Sequence, residues 1–189
     1  MGILAQLRQL WKKPSAESRL SARERIIAWR REPTILRIEH PTRLDRARTL
    51  GYRAKPGMFV VRVRVLRGGH TRPRRTKGRR SKTQTRRLIL RKNYQLIAEE
   101  RVSKAYKNCE VLNSYPVAKD GKHAWYEVIL VDRSHPAVRA DKRVQWISTQ
   151  RGRAHRGLTS AGRKTRGLRS KGKGVEKARP SRRSHNRKQ

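Results

Sequence analysis

Six of the nine residues in RPRRTKGRR (residues 72–80) are Arg or Lys. Across the chain Arg outnumbers Lys 36 to 16. Guanidinium forks grip phosphate oxygens bidentately and stack on base planes, which ammonium does less well. The chemistry on offer is therefore recognition of a polyanion rather than bond breaking. Catalytic patterns are scarce: there is no Gly-x-Ser-x-Gly and no His-Glu-x-x-His. GLRSKGKG (Gly167–Gly174) follows a P-loop until Gly174, which stands where the Mg²⁺-binding Ser or Thr belongs, and no strand precedes it. It reads as a flexible basic tail. The single cysteine, Cys109, reads as a small buried hydrophobe. One cysteine excludes an internal disulfide and a multi-cysteine zinc site, and fits a reducing intracellular compartment. The six His show no metal-ligand spacing. The expectation is a chain that is not an enzyme, with no cofactor and no metal site of its own.

The charge arithmetic strengthens this. The chain of 189 residues has 52 Lys and Arg against 13 Asp and Glu, a formal charge of +39. Self-repulsion at that charge calls for a polyanionic partner. Only 34% of residues are hydrophobic, too few for one core along the whole length. No apolar run approaches the ~18 residues of a membrane span. The start, MGILAQ, predicts neither a secretory signal nor myristoylation. The charge is also segregated. The 53 residues between Asp45 and Glu99 contain no acid and 18 Lys or Arg, whereas Glu99–Asp141 holds seven of each sign. Arg151–Gln189 has 15 Lys or Arg, one acid and no aromatic residue. A neutral stretch between cationic ones reads as a folded body with binding extensions. Arg67–Arg87 has ten Lys or Arg and no hydrophobic residue, so on its own it is expected to be disordered.

The elements that must position these cations follow from periodicity. Ile3, Leu7, Leu10 and Trp11 predict an amphipathic helix ending before Pro14. A second helix is predicted over Arg19–Arg31, stopping before Pro33, then a strand over Thr34–Glu39. A short helix opens at His40-Pro41-Thr42 and closes at Gly51. Met58–Leu66 alternates as a strand with one apolar and one largely cationic face. A helix over Leu88–Tyr106 carries the stripe Leu90, Tyr94, Ile97, Val102, Ala105 and Tyr106. Val111–Val117 and Ala124–Asp132 form an antiparallel hairpin, with the second strand central because both its faces are apolar except at Glu127. The fold class is α+β: a small, mainly antiparallel sheet packed on helices, with a long basic internal loop and a basic C-terminal extension. Three segments result: 1–32 helical, 33–150 the body interrupted by loop 67–87, and 151–189 the extension.

Such cationic runs without counter-charge favour nucleic acid. The scarcity of aromatics in the extensions argues against a single-strand stacking platform. Arg mixed with Gly, Pro, Ser and Thr suits penetration between the helices of a folded RNA. Tyr52, Trp125 and Trp146 are candidates for stacking on bases: Tyr52, beside Gly51, Arg53 and Lys55, is balanced between packing and stacking, whereas for Trp125 and Trp146 core or edge packing is favoured. A chromatin-like DNA-compacting protein is the alternative, supported by charge alone.

Six blocks carry a resemblance: HPTRLDRARTLGYRAKPG (His40–Gly57), RVRVLRGG (Arg62–Gly69), IAEERVSKAY (Ile97–Tyr106), VLNSYPV (Val111–Val117), YEVILVD (Tyr126–Asp132) and RGLTSAGRKTRGL (Arg156–Leu168). In order and spacing they resemble the large-subunit ribosomal protein L-fifteen-e family of archaea and eukaryotes, with a tail nearer the archaeal branch. The resemblance implies a structural constituent of the large ribosomal subunit in the cytoplasm. It implies partners in large-subunit ribosomal RNA, with its associated Mg²⁺, and in neighbouring ribosomal proteins. Taken with the charge pattern, it points to RNA contacts by Arg43, Arg46, Arg48, Tyr52, Arg53 and Lys55, and by Arg62 and Arg64 on the strand. In the loop they are Arg67, His70, Arg72, Arg74, Arg75, Lys77, Arg79, Arg80, Lys82, Arg86 and Arg87. In the C-terminal segment they are Arg151, Arg153, His155, Arg156, Arg163, Lys164, Arg166, Arg169, Lys171 and Lys173. Thr159 or Ser160 is expected to cap a short helix there, with free amides near a phosphate.

Overall fold

The computed structural model of the chain describes residues 2–71, 77–79, 87, 88, 90–178 and 180. The elements run α1 (Ile3–Lys12), α2 (Ala16–Arg31), β1 (Ile35–Ile38), α3 (Leu44–Thr49), β2 (Met58–Leu66), β3 (His70–Thr71), β4 (Arg87–Leu88), α4 (Tyr94–Ala105), β5 (Cys109–Lys119), β6 (His123–Asp132), α5 (Pro136–Ala140) and α6 (Ser160–Thr165). A 3-10 turn at Gln145–Ile147 lies between α5 and α6. Four strands form one antiparallel sheet in the order β1-β2-β6-β5, and β3 pairs with β4 separately.

The two most apolar strands take the centre, as their composition requires. Val61, Val63 and Val65 of β2 join Val128 and Leu130 of β6 and Val111 of β5 on one face, under Ala98 and Val102 of α4. Met58, Val60, Tyr115, Ile129 and Val131 line the other face, beneath Ala47 of α3, Tyr52, Val138 of α5, and Val144 and Ile147. Cys109 is buried as a small hydrophobe. Both faces are thus covered by protein. The cationic face read for β2 is present in sequence, but α2 lies over it. The Arg62 guanidinium sits 4.3 Å above the Trp29 ring and donates to Glu32 at 2.6 Å, and Arg64 donates to the Arg30 carbonyl. Trp29 packs in turn on Trp125 at 6.2 Å between ring centroids.

Three helix starts differ from the periodicity reading, each for a local hydrogen-bonding reason. α2 begins earlier because Ser15 caps it, accepting from the Ser18 amide at 3.2 Å. α4 begins at Tyr94 instead of Leu88, because Asn93 accepts from the Leu96 amide at 2.7 Å and Leu88 belongs to β4. α3 begins at Leu44, beyond Pro41, because the Thr42 amide donates to the buried Glu127 carboxylate at 3.1 Å. That bond holds residues before Leu44 against the sheet and out of the helix.

Candidate nucleic-acid interface

Where the acids go decides which cations are left for a partner. Asp45, Glu99, Glu110 and Glu127 are buried. Glu127 accepts from Tyr115 at 2.6 Å and from Thr42. Glu99, on α4, accepts from Ser114 on β5 and from Thr159 just before α6. Glu110 accepts from the amides of Gly152 at 2.6 Å and Arg153 at 3.1 Å. Burial pushes Glu99 and Glu127 above the usual carboxylate range, partly offset by these hydrogen bonds. Four more acids are held in ion pairs: Glu32 with Arg62, Glu100 with Lys92 at 2.8 Å, Asp120 with Arg30 at 2.8 Å, and Asp141 with Lys55. Lys55 holds the Asp141 carboxyl below its ordinary value. These eight acids are buried or ion-paired; Glu17, Glu24, Glu39 and Glu176 are exposed, but exposed Lys and Arg far outnumber them.

Two cationic segments about a hundred residues apart in sequence converge on the outer strand β5. On one side, Gly51 ends the α3 turn with φ +101°, and a β-carbon there would stand 3.2 Å from Leu112 of β5. On the other, Arg153 donates to the carbonyls of Val111 and, at 3.2 Å, Leu112. These carbonyls are free to accept because β5 has a register irregularity between Val111 and Asn113. Beyond Arg153 the chain turns tightly into α6. A β-carbon at Gly162 would lie 2.6 Å from the Gly157 α-carbon, so only glycine permits this backbone approach. Thr159 caps α6, accepting from the Gly162 amide at 3.2 Å.

The structure sorts the site residues read from sequence into three groups. Arg46, Arg48, Arg53, Lys77, Arg79, Arg151, His155, Arg163, Lys164, Arg169, Lys171 and Lys173 are exposed. Ser160 is half-buried at the start of α6. A second group is exposed or half-buried but engaged with the protein. Arg43 pairs with Asp45 at 3.3 Å and stacks 4.5 Å over Trp11, and Arg67 donates to the Asp120 carbonyl. Arg156 donates to Gln150 at 3.0 Å and Arg166 to the Gly157 carbonyl at 3.3 Å, while Lys55, Arg62 and Arg64 have the partners given above. In the third group, Tyr52, Arg153 and Thr159 are buried. Tyr52 belongs to the core beside α3, because the Gly51 turn folds it inward. Arg153 and Thr159 tie the C-terminal segment to the body. Arg72, Arg74, Arg75, Arg80, Lys82 and Arg86 lie outside the described residues, as do the side chains of His70 and Arg87. Trp146, weighted from sequence towards core or edge packing over stacking, is 46% exposed, with the Arg153 guanidinium 4.6 Å over it.

Among the described residues no cluster of three or more His, Cys, Asp or Glu could hold a metal ion. A small α+β body that buries four of its acids and exposes cations on α3 and α6 defines a strongly basic α+β protein. The family model described as Ribosomal L15 matches residues 2–185, and the chain belongs to that family of structural ribosomal proteins, which are not enzymes. The chain is 52% identical over 187 residues to the protein named large ribosomal subunit protein eL15 of Methanocella arvoryzae, covering 96% of this chain and 95% of that relative.

Proposed function

We propose that the chain is a structural constituent of the large ribosomal subunit, acting within the cytoplasmic ribosome in support of translation. It holds folded ribosomal RNA together by laying cations between phosphate strands. The observation that supports this reading is that the segment bearing exposed Arg46, Arg48 and Arg53 and the segment bearing exposed Arg151, Arg163 and Lys164 both pack on β5, through Gly51 and Arg153, in a body that buries four of its acids. The basic segment around residues 67–87 and the tail beyond α6 add charge to the same task. Neighbouring ribosomal proteins are the second class of partner. Neutralised phosphates release counterions, so affinity falls with salt by a log–log slope of about −0.7 to −0.9 per contact.

Two measurements test it. The tagged protein should co-sediment stoichiometrically with large subunits in high salt; migration with DNA instead would reverse the reading. Replacing exposed Arg163 and Lys164 together with Ala should lower the salt slope for large-subunit RNA by about two contacts. Melting of the free protein should change by no more than ~0.5 kcal/mol, since both side chains are exposed. An unchanged slope would remove α6 from the interface.

A further inference from the structure

We infer that Trp146 is a preformed stacking site for one unpaired nucleobase of the bound RNA, an inference that rests on the RNA-binding reading above. The indole is fixed before any ligand arrives. Its Nε1 donates to the Arg143 carbonyl at 3.0 Å, which ties one edge to the 3-10 turn. The Arg153 guanidinium covers one face at 4.6 Å and is itself pinned by the carbonyls of Val111 and Leu112. Val144 and Ile147, on either side of the ring in sequence, are buried in the core with Ala47 and Tyr52. With one face covered and one edge tied, Trp146 is still 46% exposed.

A ring already held rigid by a hydrogen bond and a stacked guanidinium offers its open surface to a ligand at little ordering cost. A base has the matching shape: a flat π-surface that stacks on indole without sequence-specific hydrogen bonds. The charge around the ring selects the same ligand. Arg143 and Arg151 are exposed nearby in sequence, and Arg153, which stacks on the ring, holds the strand where the two cationic segments meet. Those cations would hold the phosphates flanking the base. A buried guanidinium behind the ring also polarises it, and its place is kept by hydrogen bonds that do not depend on the RNA. Tyr52, which the sequence leaves balanced between packing and stacking, is inside the core and leaves this role to Trp146.

The test uses the full chain and deproteinised large-subunit ribosomal RNA, with variants Trp146→Ala, Trp146→Leu and Trp146→Phe. The Ala and Leu variants should bind on the order of ten-fold more weakly, and Phe should retain most of the affinity. Because no phosphate contact is lost, all three should keep the wild-type salt slope. Ultraviolet irradiation of assembled subunits should leave a nucleotide adduct on the tryptic peptide Val144–Arg151 of the wild type. Equal affinity of all variants, or Leu binding as well as Phe, would overturn the inference and assign the ring to an apolar contact. Failure of the wild-type protein itself to bind the RNA with a steep salt slope would instead overturn the broader reading.

Discussion

The N-terminal helices and the stretch from Arg151 to Thr165 use their composition in opposite ways. α1 and α2 carry Ile3, Leu10, Leu20 and Ile27 at helical spacing, yet Trp29 is the only buried residue of the two. The C-terminal stretch is dominated by cations and small residues, yet Arg153, Ala154, Thr159 and Ala161 are buried. The difference lies in what the body offers each segment. Glu99 and Glu110 present buried carboxylate oxygens to Thr159 and to the amides of Gly152 and Arg153, and β5 presents two carbonyls to the Arg153 side chain. α1 packs on α3, and its Trp11 is held by the stacked Arg43. Docking is decided by matching groups on the receiving surface more than by the apolarity of the docked segment.

The largest effect expected from breaking this contrast is at Arg153. Arg153→Met would leave the Val111 and Leu112 carbonyls without their donor and remove the cation beside Glu99 and Glu110. Loss of one member of such a buried set costs about 3–5 kcal/mol. That is a large share of the stability of a small domain. Urea unfolding of the free protein measures it, and a loss below about 1 kcal/mol would make the C-terminal clasp peripheral.

A smaller effect follows from Glu99, whose burial raises its pKa above the ordinary value. The folded form then keeps a proton that the unfolded chain releases. Stability is greatest below the unfolded pKa and falls as pH rises from there through the folded pKa. Glu127 contributes in the same direction. Glu99→Gln should flatten, but not abolish, the decline measured by thermal unfolding from pH 4.5 upward. A slope identical to wild type would mean that Glu99 does not titrate in this window.

The smallest effect sharpens the other half of the contrast. Ile3→Ser with Leu10→Ser should change the stability of the free protein by no more than ~0.5 kcal/mol, because these side chains are 70% and 65% exposed. A loss of several kcal/mol would show that α1 is part of the folding core despite its exposure.

Much of this was written in short-range pattern. The limits of β2 match its alternation from Met58 to Leu66, and the apolar run in β6 marks it as central. The hairpin turn at Lys119–Lys122, the burial of Cys109, a cap at Thr159 or Ser160 and the segregation of charge are equally local, and the structure places the cap at Thr159. Six ordered sequence blocks carried the family. What tertiary structure alone decided is which cations stay free. Arg62 finds Glu32, Lys55 finds Asp141, and Arg153 finds β5 across separations that no periodicity encodes. The same long-range packing turned Tyr52 into the core and left Trp146 outside. Residue type sets what a side chain can bind, and its neighbours in space set whether that capacity is already satisfied.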